Sequence, residues 1–291
     1  MNKKIISRLA ALFVLGLVCH LSATAQTTVL DLWPDGAPTD NGLRGTETAD
    51  AEHATLVEHP TLSIYPAPHP NGTTILMCPG GGYHDVWYGH EGYMMADWLN
   101  AQGITLAVLK YRMPNFHHEV PLDDAQRAMV LLRQHADEWG AALIGVAGAS
   151  AGGHLASTVA THYTDAVNRP DFQILFYPVI TMEKGVTHDG TRHFLIGDNP
   201  SDELVKRYSN ELQVRDDAPP AFIIASSDDG LVPVENSLRY YRALLDHHVS
   251  TTMHLYPYGE HGWGFRDSFA YKPLWTAELA QWLRELPRAV K

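Results

Sequence analysis

Three segments far apart in the chain carry side chains able to perform nucleophilic chemistry together. Gly148-Ala149-Ser150-Ala151-Gly152 lies between an apolar run, Leu143 to Ala147, and a helical pattern, Ala151 to Tyr163. G-x-S-x-G at a strand-to-helix junction is a nucleophile elbow. Its glycines make room for a tight turn that lifts Ser150 Oγ above the sheet, and the helix N-terminus offers free N–H groups to a developing oxyanion. His261 follows the run Met253 to Tyr256, and two acids, Asp228 and Asp229, follow the run Ala221 to Ser226. Either carboxylate can reach a histidine in the next loop. The set then supplies a nucleophile, a base that takes its proton through Nε2, and an acid that fixes the base's tautomer.

A glycine run, Pro79-Gly80-Gly81-Gly82-Tyr83, follows the strand pattern Thr73 to Met77. Such a run lets backbone N–H groups approach a ligand closely. The N–H groups of Gly81 and Gly82, with that of Ala151, are expected to bind a tetrahedral oxygen. The Lys and Ser/Thr of a phosphate-cradling loop are missing. Tyr83, Trp87 and Trp263 are candidate platforms for a sugar or aryl group, with core packing as the alternative. His90 and Glu91 are placed in the substrate pocket. The pairs His117-His118 and His247-His248, and His84, lack metal-ligand spacing on one helix face, so neither metal nor other cofactor is expected.

These residues need a scaffold, and the rest of the chain reads as one. Apolar runs at Thr73 to Met77, Ile104 to Leu109, Leu143 to Ala147, Phe172 to Tyr177, Ala221 to Ser226 and Met253 to Tyr256 alternate with helical patterns. The helices are expected over Gly92 to Ala101, Leu122 to His135, Ala151 to Tyr163, Val234 to Leu245 and Pro273 to Leu286. Continuous apolar strands separated by helices predict an α/β fold, a mostly parallel sheet covered on both faces, with ligands at the strands' carboxyl ends. The polar stretch Thr181 to Pro219 is too long for a simple connection and is expected to form a small cap-like insertion. Thr27 to Pro60 reads as a surface lead-in that can add edge strands.

Met1 to Ala25 has the pattern of a secretory signal: Lys3, Lys4 and Arg8, then apolar Leu9 to Val18, then Ala23-Thr24-Ala25. A lipid anchor on Cys19 is a weaker reading, because bulky Val18 precedes it. Cleavage would leave residues 26–291 as one domain, periplasmic or secreted, without stable membrane insertion. The chain carries a formal charge of −12, and the signal holds three basic and no acidic residues, so the remainder carries −15. That balance argues against a duplex-DNA partner. Cys78 would be the lone cysteine and is expected to be structural rather than reactive.

The segments together resemble the bacterial secreted carbohydrate esterases of the α/β-hydrolase superfamily, near acetyl-xylan and feruloyl esterases, whose members are often labelled xylanase or lipase. The resemblance is carried by Leu32-Trp33-Pro34, Cys78 to Tyr83, His90-Glu91-Gly92, Leu109 to Pro114, Gly148 to Leu155, Asp229 to Pro233 and His261-Gly262. It selects Asp229 as the acid, through D-x-x-V-P, with Asp228 as the alternative. It also matches the glycine run to an oxyanion segment, with Pro79 where His is usual. What it implies is an α/β-hydrolase fold and a serine esterase acting on a small-molecule or polysaccharide ester through an acyl-enzyme on Ser150, with acetyl groups on xylan or xylo-oligosaccharides as the leading substrate. A feruloyl or general carboxylesterase or lipase is the alternative, and a peptidase of the same fold a further one. A glycanase is disfavoured, since no pair of carboxylates stands out.

Overall fold

The computed structural model describes residues 27–45 and 47–289. The signal pattern and Cys19 fall outside the described residues. The strands are β1 (Thr28–Asp31), β2 (Thr48–Ala49), β3 (Ala54–Thr55), β4 (Thr61–Tyr65), β5 (Thr73–Cys78), β6 (Asp85–Val86), β7 (Thr105–Lys110), β8 (Leu143–Ala149), β9 (Gln173–Phe176), β10 (Ala221–Ser226) and β11 (Thr251–Tyr256). Eight of them form one sheet in the order β1-β4-β7-β5-β8-β9-β10-β11, while β2, β3 and β6 form a small second sheet. From β7 to β11 every pairing is parallel. The two pairings on the other edge, β1 with β4 and β4 with β7, are antiparallel.

Strand β4 is absent from the expected set. Its sequence TLSIY alternates, with Leu62 and Ile64 buried and their neighbours half-buried, as an antiparallel strand near an edge does. The lead-in does supply edge β1, whose residues are mostly exposed. The expected helix over Gly92 to Ala101 is shorter, a 3-10 turn at Tyr93–Met95 followed by α1 (Ala96–Asn100). Helix α2 (Val120–Gln134) begins two residues before its expected start, with Pro121 in the first turn, where a missing N–H costs nothing.

Strand alternation sorts the core into two layers. Leu76 and Cys78 of β5 face one layer, with Ala128 and Leu132 of α2 and Leu155 and Val159 of α3 (Ala151–His162). Ile75 and Met77 face the other, with Leu99 of α1 and Trp275 and Leu279 of the later C-terminal helix. Cys78 is buried, and burial pushes its thiol well up, the environment of a structural cysteine.

Between β9 and β10 the chain folds into α4 (Asp189–Ile196), α5 (Asp202–Tyr208) and a 3-10 turn at Asn210–Leu212. Helix α4 is capped by the His188 ring, whose Nδ1 accepts the Thr191 N–H, and α5 by Ser201 Oγ, which accepts the Leu204 N–H. Helix α6 (Glu235–Asp246) anchors this insertion: Asn236 Oδ1 accepts the N–H groups of Ile180 and Thr181. Helix α7 (Lys272–Ala289) closes the described chain.

Candidate active site

Ser150 sits at the turn between β8 and α3 with φ 55° and ψ −122°, a conformation that non-glycine residues rarely adopt. The turn is held by contacts that leave no space for side chains. A Cβ on Gly148 would lie 2.1 Å from the Gly152 carbonyl oxygen, and one on Gly152 would lie 2.1 Å from that of Cys78. The Ser150 N–H donates to the Phe176 carbonyl at 3.0 Å and its carbonyl accepts from Val179 N–H at 3.0 Å. Both strained peptide groups are thus paired, and only the hydroxyl projects.

That hydroxyl lies 2.8 Å from His261 Nε2, and His261 Nδ1 lies 2.6 Å from Asp229 Oδ2. A carboxylate oxygen beside Nδ1 assigns the ring proton to that nitrogen, leaving Nε2 free to accept from Ser150. Asp229 is itself fixed: Oδ1 accepts the N–H groups of Leu231 at 3.0 Å and Val232 at 2.8 Å. This is why the acid is followed by a tight turn. Its side chain is 1% exposed, and that of His261 13%. The adjacent Asp228 points elsewhere. It accepts the N–H groups of Gly259 at 3.2 Å and Glu260 at 2.8 Å, and so pins the loop that carries His261.

The glycine run bends over the same point. Gly81 has φ +132°, and a Cβ there would lie 2.1 Å from the Asp85 carbonyl oxygen. The Gly81 carbonyl accepts the N–H groups of His84 and Asp85, which closes the turn. Gly80 N–H is taken by Glu91 Oε2 at 2.8 Å. Among the described residues, the N–H groups of Gly81, Gly82 and Ala151 have no hydrogen-bond partner. Gly81 and Gly82 share a cleft wall with Ser150, and Ala151 opens the 12-residue helix α3. Three unpaired donors around a nucleophile can receive an oxyanion.

The cleft is a cavity of about 510 Å³ whose walls include Trp87, His90, His188, Phe194, Leu231 and Arg266. His90 is where it was expected. Burial, and secondarily the charge of Arg266, lower its pKa to about 4, and its Nδ1 accepts from Arg266 Nη2 at 3.2 Å. Two expected platforms are corrected. Tyr83 is 1% exposed, its hydroxyl bonded to His154 Nδ1 at 2.9 Å. Trp263 is 5% exposed, stacked on Phe269 with centroids 4.1 Å apart and donating from Nε1 to Ser226 Oγ. Both are core residues. Glu91 borders the cleft as expected, but its expected part in binding substrate is corrected: both its oxygens serve protein donors, Gly80 N–H and the Tyr177 hydroxyl. Trp87 does line the cleft, stacked on His53.

His188, Phe194 and Arg266 were not read from the sequence. The first two come from the insertion. Since His188 Nδ1 accepts the Thr191 N–H, the neutral ring carries its proton on Nε2. Burial keeps the ring neutral by lowering its pKa, helped by the neighbouring His261.

Comparison with known proteins agrees with this architecture. Residues 93–265 match a family model described as the alpha/beta hydrolase fold. The chain is 39% identical over 225 residues to an acetylxylan esterase of Xylanibacter ruminicola, a match covering 75% of this chain and 47% of that protein. It is 36% identical over 205 residues to endo-1,4-beta-xylanase B of Butyrivibrio fibrisolvens, covering 65% and 32% respectively. The chain therefore spans about half or less of the length of these curated relatives. Among solved structures, an acetyl ester-xyloside bifunctional hydrolase from Caldicellulosiruptor lactoaceticus superposes with a TM-score of 0.76 at 35% identity, covering 89% of this chain and 96% of that one. A sugar hydrolase from Lactococcus lactis gives 0.68 at 26% identity, covering 84% and 100%. Sheet order, elbow and family match converge on one statement: the chain belongs to the alpha/beta hydrolase fold family.

Proposed function

We propose that this chain is a serine esterase that removes acetyl groups from xylan or its oligosaccharides. The observation that carries the reading is the line Asp229–His261–Ser150, at 2.6 and 2.8 Å, in a cleft shared with Gly81 and Gly82, whose N–H groups, like that of the adjacent Ala151, have no hydrogen-bond partner among the described residues. Ser150 Oγ attacks the ester carbonyl as His261 Nε2 takes its proton. The carbonyl oxygen gains negative charge, which the three N–H groups receive. Asp229 stabilises the imidazolium, which then protonates the departing alcohol. Water repeats the cycle on the acyl-enzyme, with His261 as its base.

The acetyl and xylan parts of the proposal are supported by the relatives: an acetylxylan esterase in sequence and an acetyl ester-xyloside hydrolase in structure. The signal pattern at Met1 to Ala25 supports action outside the cytoplasm, on a polymer or its fragments. One observation favours a second acyl group: the aromatic walls Trp87 and Phe194 suit a ferulate ring. Release of acetate and ferulate from acylated xylo-oligosaccharides separates these. Acetate release by the parent protein and its loss in Ser150→Ala, by at least about 10⁴-fold, is expected. Undiminished release by Ser150→Ala refutes the mechanism. Ferulate release without acetate transfers the assignment to the second acyl group.

A further inference from the structure

Beside Ser150 lies a buried carboxylate that no step of this acyl transfer uses. Glu91 is 4% exposed. Oε2 accepts the Gly80 N–H at 2.8 Å, and Oε1 accepts the Tyr177 hydroxyl at 2.7 Å. The Tyr177 oxygen in turn accepts the Gly264 N–H at 2.8 Å. The Tyr177 ring meets the His261 imidazole edge-on, with centroids 4.8 Å apart. Gly80 begins the loop that presents the Gly81 and Gly82 N–H groups, and Gly264 ends the loop that presents His261. A third link reaches the nucleophile, since the Ser150 N–H donates to Phe176, the residue before Tyr177.

The chemistry explains why the residue is an acid. Both of its partners are donors, so both oxygens must accept. A glutamine can keep the Gly80 N–H on its one oxygen, but its amide N–H then turns the Tyr177 hydroxyl, which already accepts the Gly264 N–H, from donor to acceptor, so the hydroxyl loses the carboxylate that takes its proton. The fit is also close: a Cβ on Gly80 would lie 2.5 Å from Oε2, so the loop packs directly on the carboxylate. Burial pushes the Glu91 pKa up, and the Tyr177 hydroxyl, His261, the Gly80 N–H and Arg266 oppose that.

We infer that Glu91, acting through Tyr177, is a positioning residue that holds the oxyanion loop and the His261 loop in register across Ser150. The inference rests on the acyl-transfer reading above. It is tested by steady-state hydrolysis of p-nitrophenyl acetate, and by inhibition with a boronic acid that forms a tetrahedral adduct on Ser150. The proteins compared are the parent, Glu91→Gln, Tyr177→Phe and the double variant.

Glu91→Gln is expected to lower kcat by about 30- to 100-fold with KM held within about threefold, and to raise the boronate Ki by a similar factor. Tyr177→Phe is expected to lose about tenfold in both, and the double variant to be no worse than Glu91→Gln within about threefold, because the two act in one chain of contacts. Losses that multiply in the double variant, a change in KM alone, or kcat within about threefold of the parent in Glu91→Gln would each overturn it. Should Glu91→Gln fail to fold, Tyr177→Phe decides, by whether kcat and Ki move in parallel. A parent protein that cleaves no ester, or a Ser150→Ala variant as active as the parent, counts instead against the acyl-transfer reading.

Discussion

Two buried polar networks in this molecule join residues far apart in the chain, and they are finished differently. In the first, Asp124 of α2 accepts the Arg112 backbone N–H at 2.8 Å, Arg112 Nη2 at 2.7 Å and Trp33 Nε1 at 2.7 Å. Arg112 Nη1 donates to the Thr39 carbonyl at 2.6 Å. The side chains of the pair are 5% and 0% exposed. Every strong group there is consumed by a protein partner, and the network ties the lead-in to α2. In the second, Asp229 is equally consumed, but the chain of bonds ends on a serine hydroxyl in a cleft with N–H groups that have no partner among the described residues. The first network spends its polarity on stability. The second holds polar groups in place without satisfying them, so that a substrate can.

Substitutions sharpen this contrast, beginning with the acids. Asp229→Asn is expected to lower kcat/KM by about 10⁴-fold, since the amide favours the wrong His261 tautomer. Asp228→Asn keeps one of the two oxygens that accept the Gly259 and Glu260 N–H groups on an exposed loop, sets an N–H in place of the other, and is expected to cost about tenfold. Kinetics with p-nitrophenyl acetate decide, and equal losses, or a reversal of their order, would reject the assignment of roles.

Asp124→Asn reverses the readout. It leaves the buried Arg112 charge without its partner, a change worth about 3–5 kcal/mol of unfolding free energy. Urea titration is expected to show that loss while kcat of the folded protein stays within about threefold. A loss of catalysis at unchanged stability would show that the two networks are not separate.

The contrast also explains what could be read from the chain alone. The triad was legible because each member sits in a short motif directly after a buried strand, so local patterns located it. Asp228 and Asp229 differ by one position, and only the fold shows that one faces His261 and the other the backbone of Gly259 and Glu260. Tyr83 and Trp263 misled because an aromatic beside a glycine loop suits a platform and a core alike. What decided Tyr83 was His154, 71 residues away. Strand β4 went unread because its five residues alternate between half-buried and buried and lie just after turn-rich sequence. His188 enters the cleft through the packing of the insertion on Asn236, a long-range contact without local signature. Glu91 was correctly placed near the pocket, but its service to two donors needed both loops to be seen together.

His154 adds the smallest and most diffuse test of this separation. It lies one turn beyond Ser150 on α3, fully buried, with Nδ1 accepting the Tyr83 hydroxyl at 2.9 Å and Nε2–H donating to the Tyr208 carbonyl at 2.8 Å. Burial lowers its pKa from 6.5 to about 4, outweighing the opposing pull of the Tyr208 carbonyl, and His162 lowers it further. In this case the folded pKa lies below the unfolded one. As pH falls through 6.5 the unfolded chain takes up the proton and the folded chain does not, so stability falls until the pH passes about 4. The expected loss from this one group is about 1 kcal/mol between pH 7 and 5.5, approaching 3 kcal/mol at pH 4. Urea unfolding at several pH values measures it, and His154→Gln is expected to flatten that slope by the same amount. The remaining slope includes His90, His118, His162 and His188, whose pKa values burial also lowers. An unchanged slope would mean that His154 is protonated in the folded protein. The Tyr83–His154–Tyr208 contacts would then have to be redrawn, since an imidazolium at Nδ1 must donate to Tyr83 rather than accept from it.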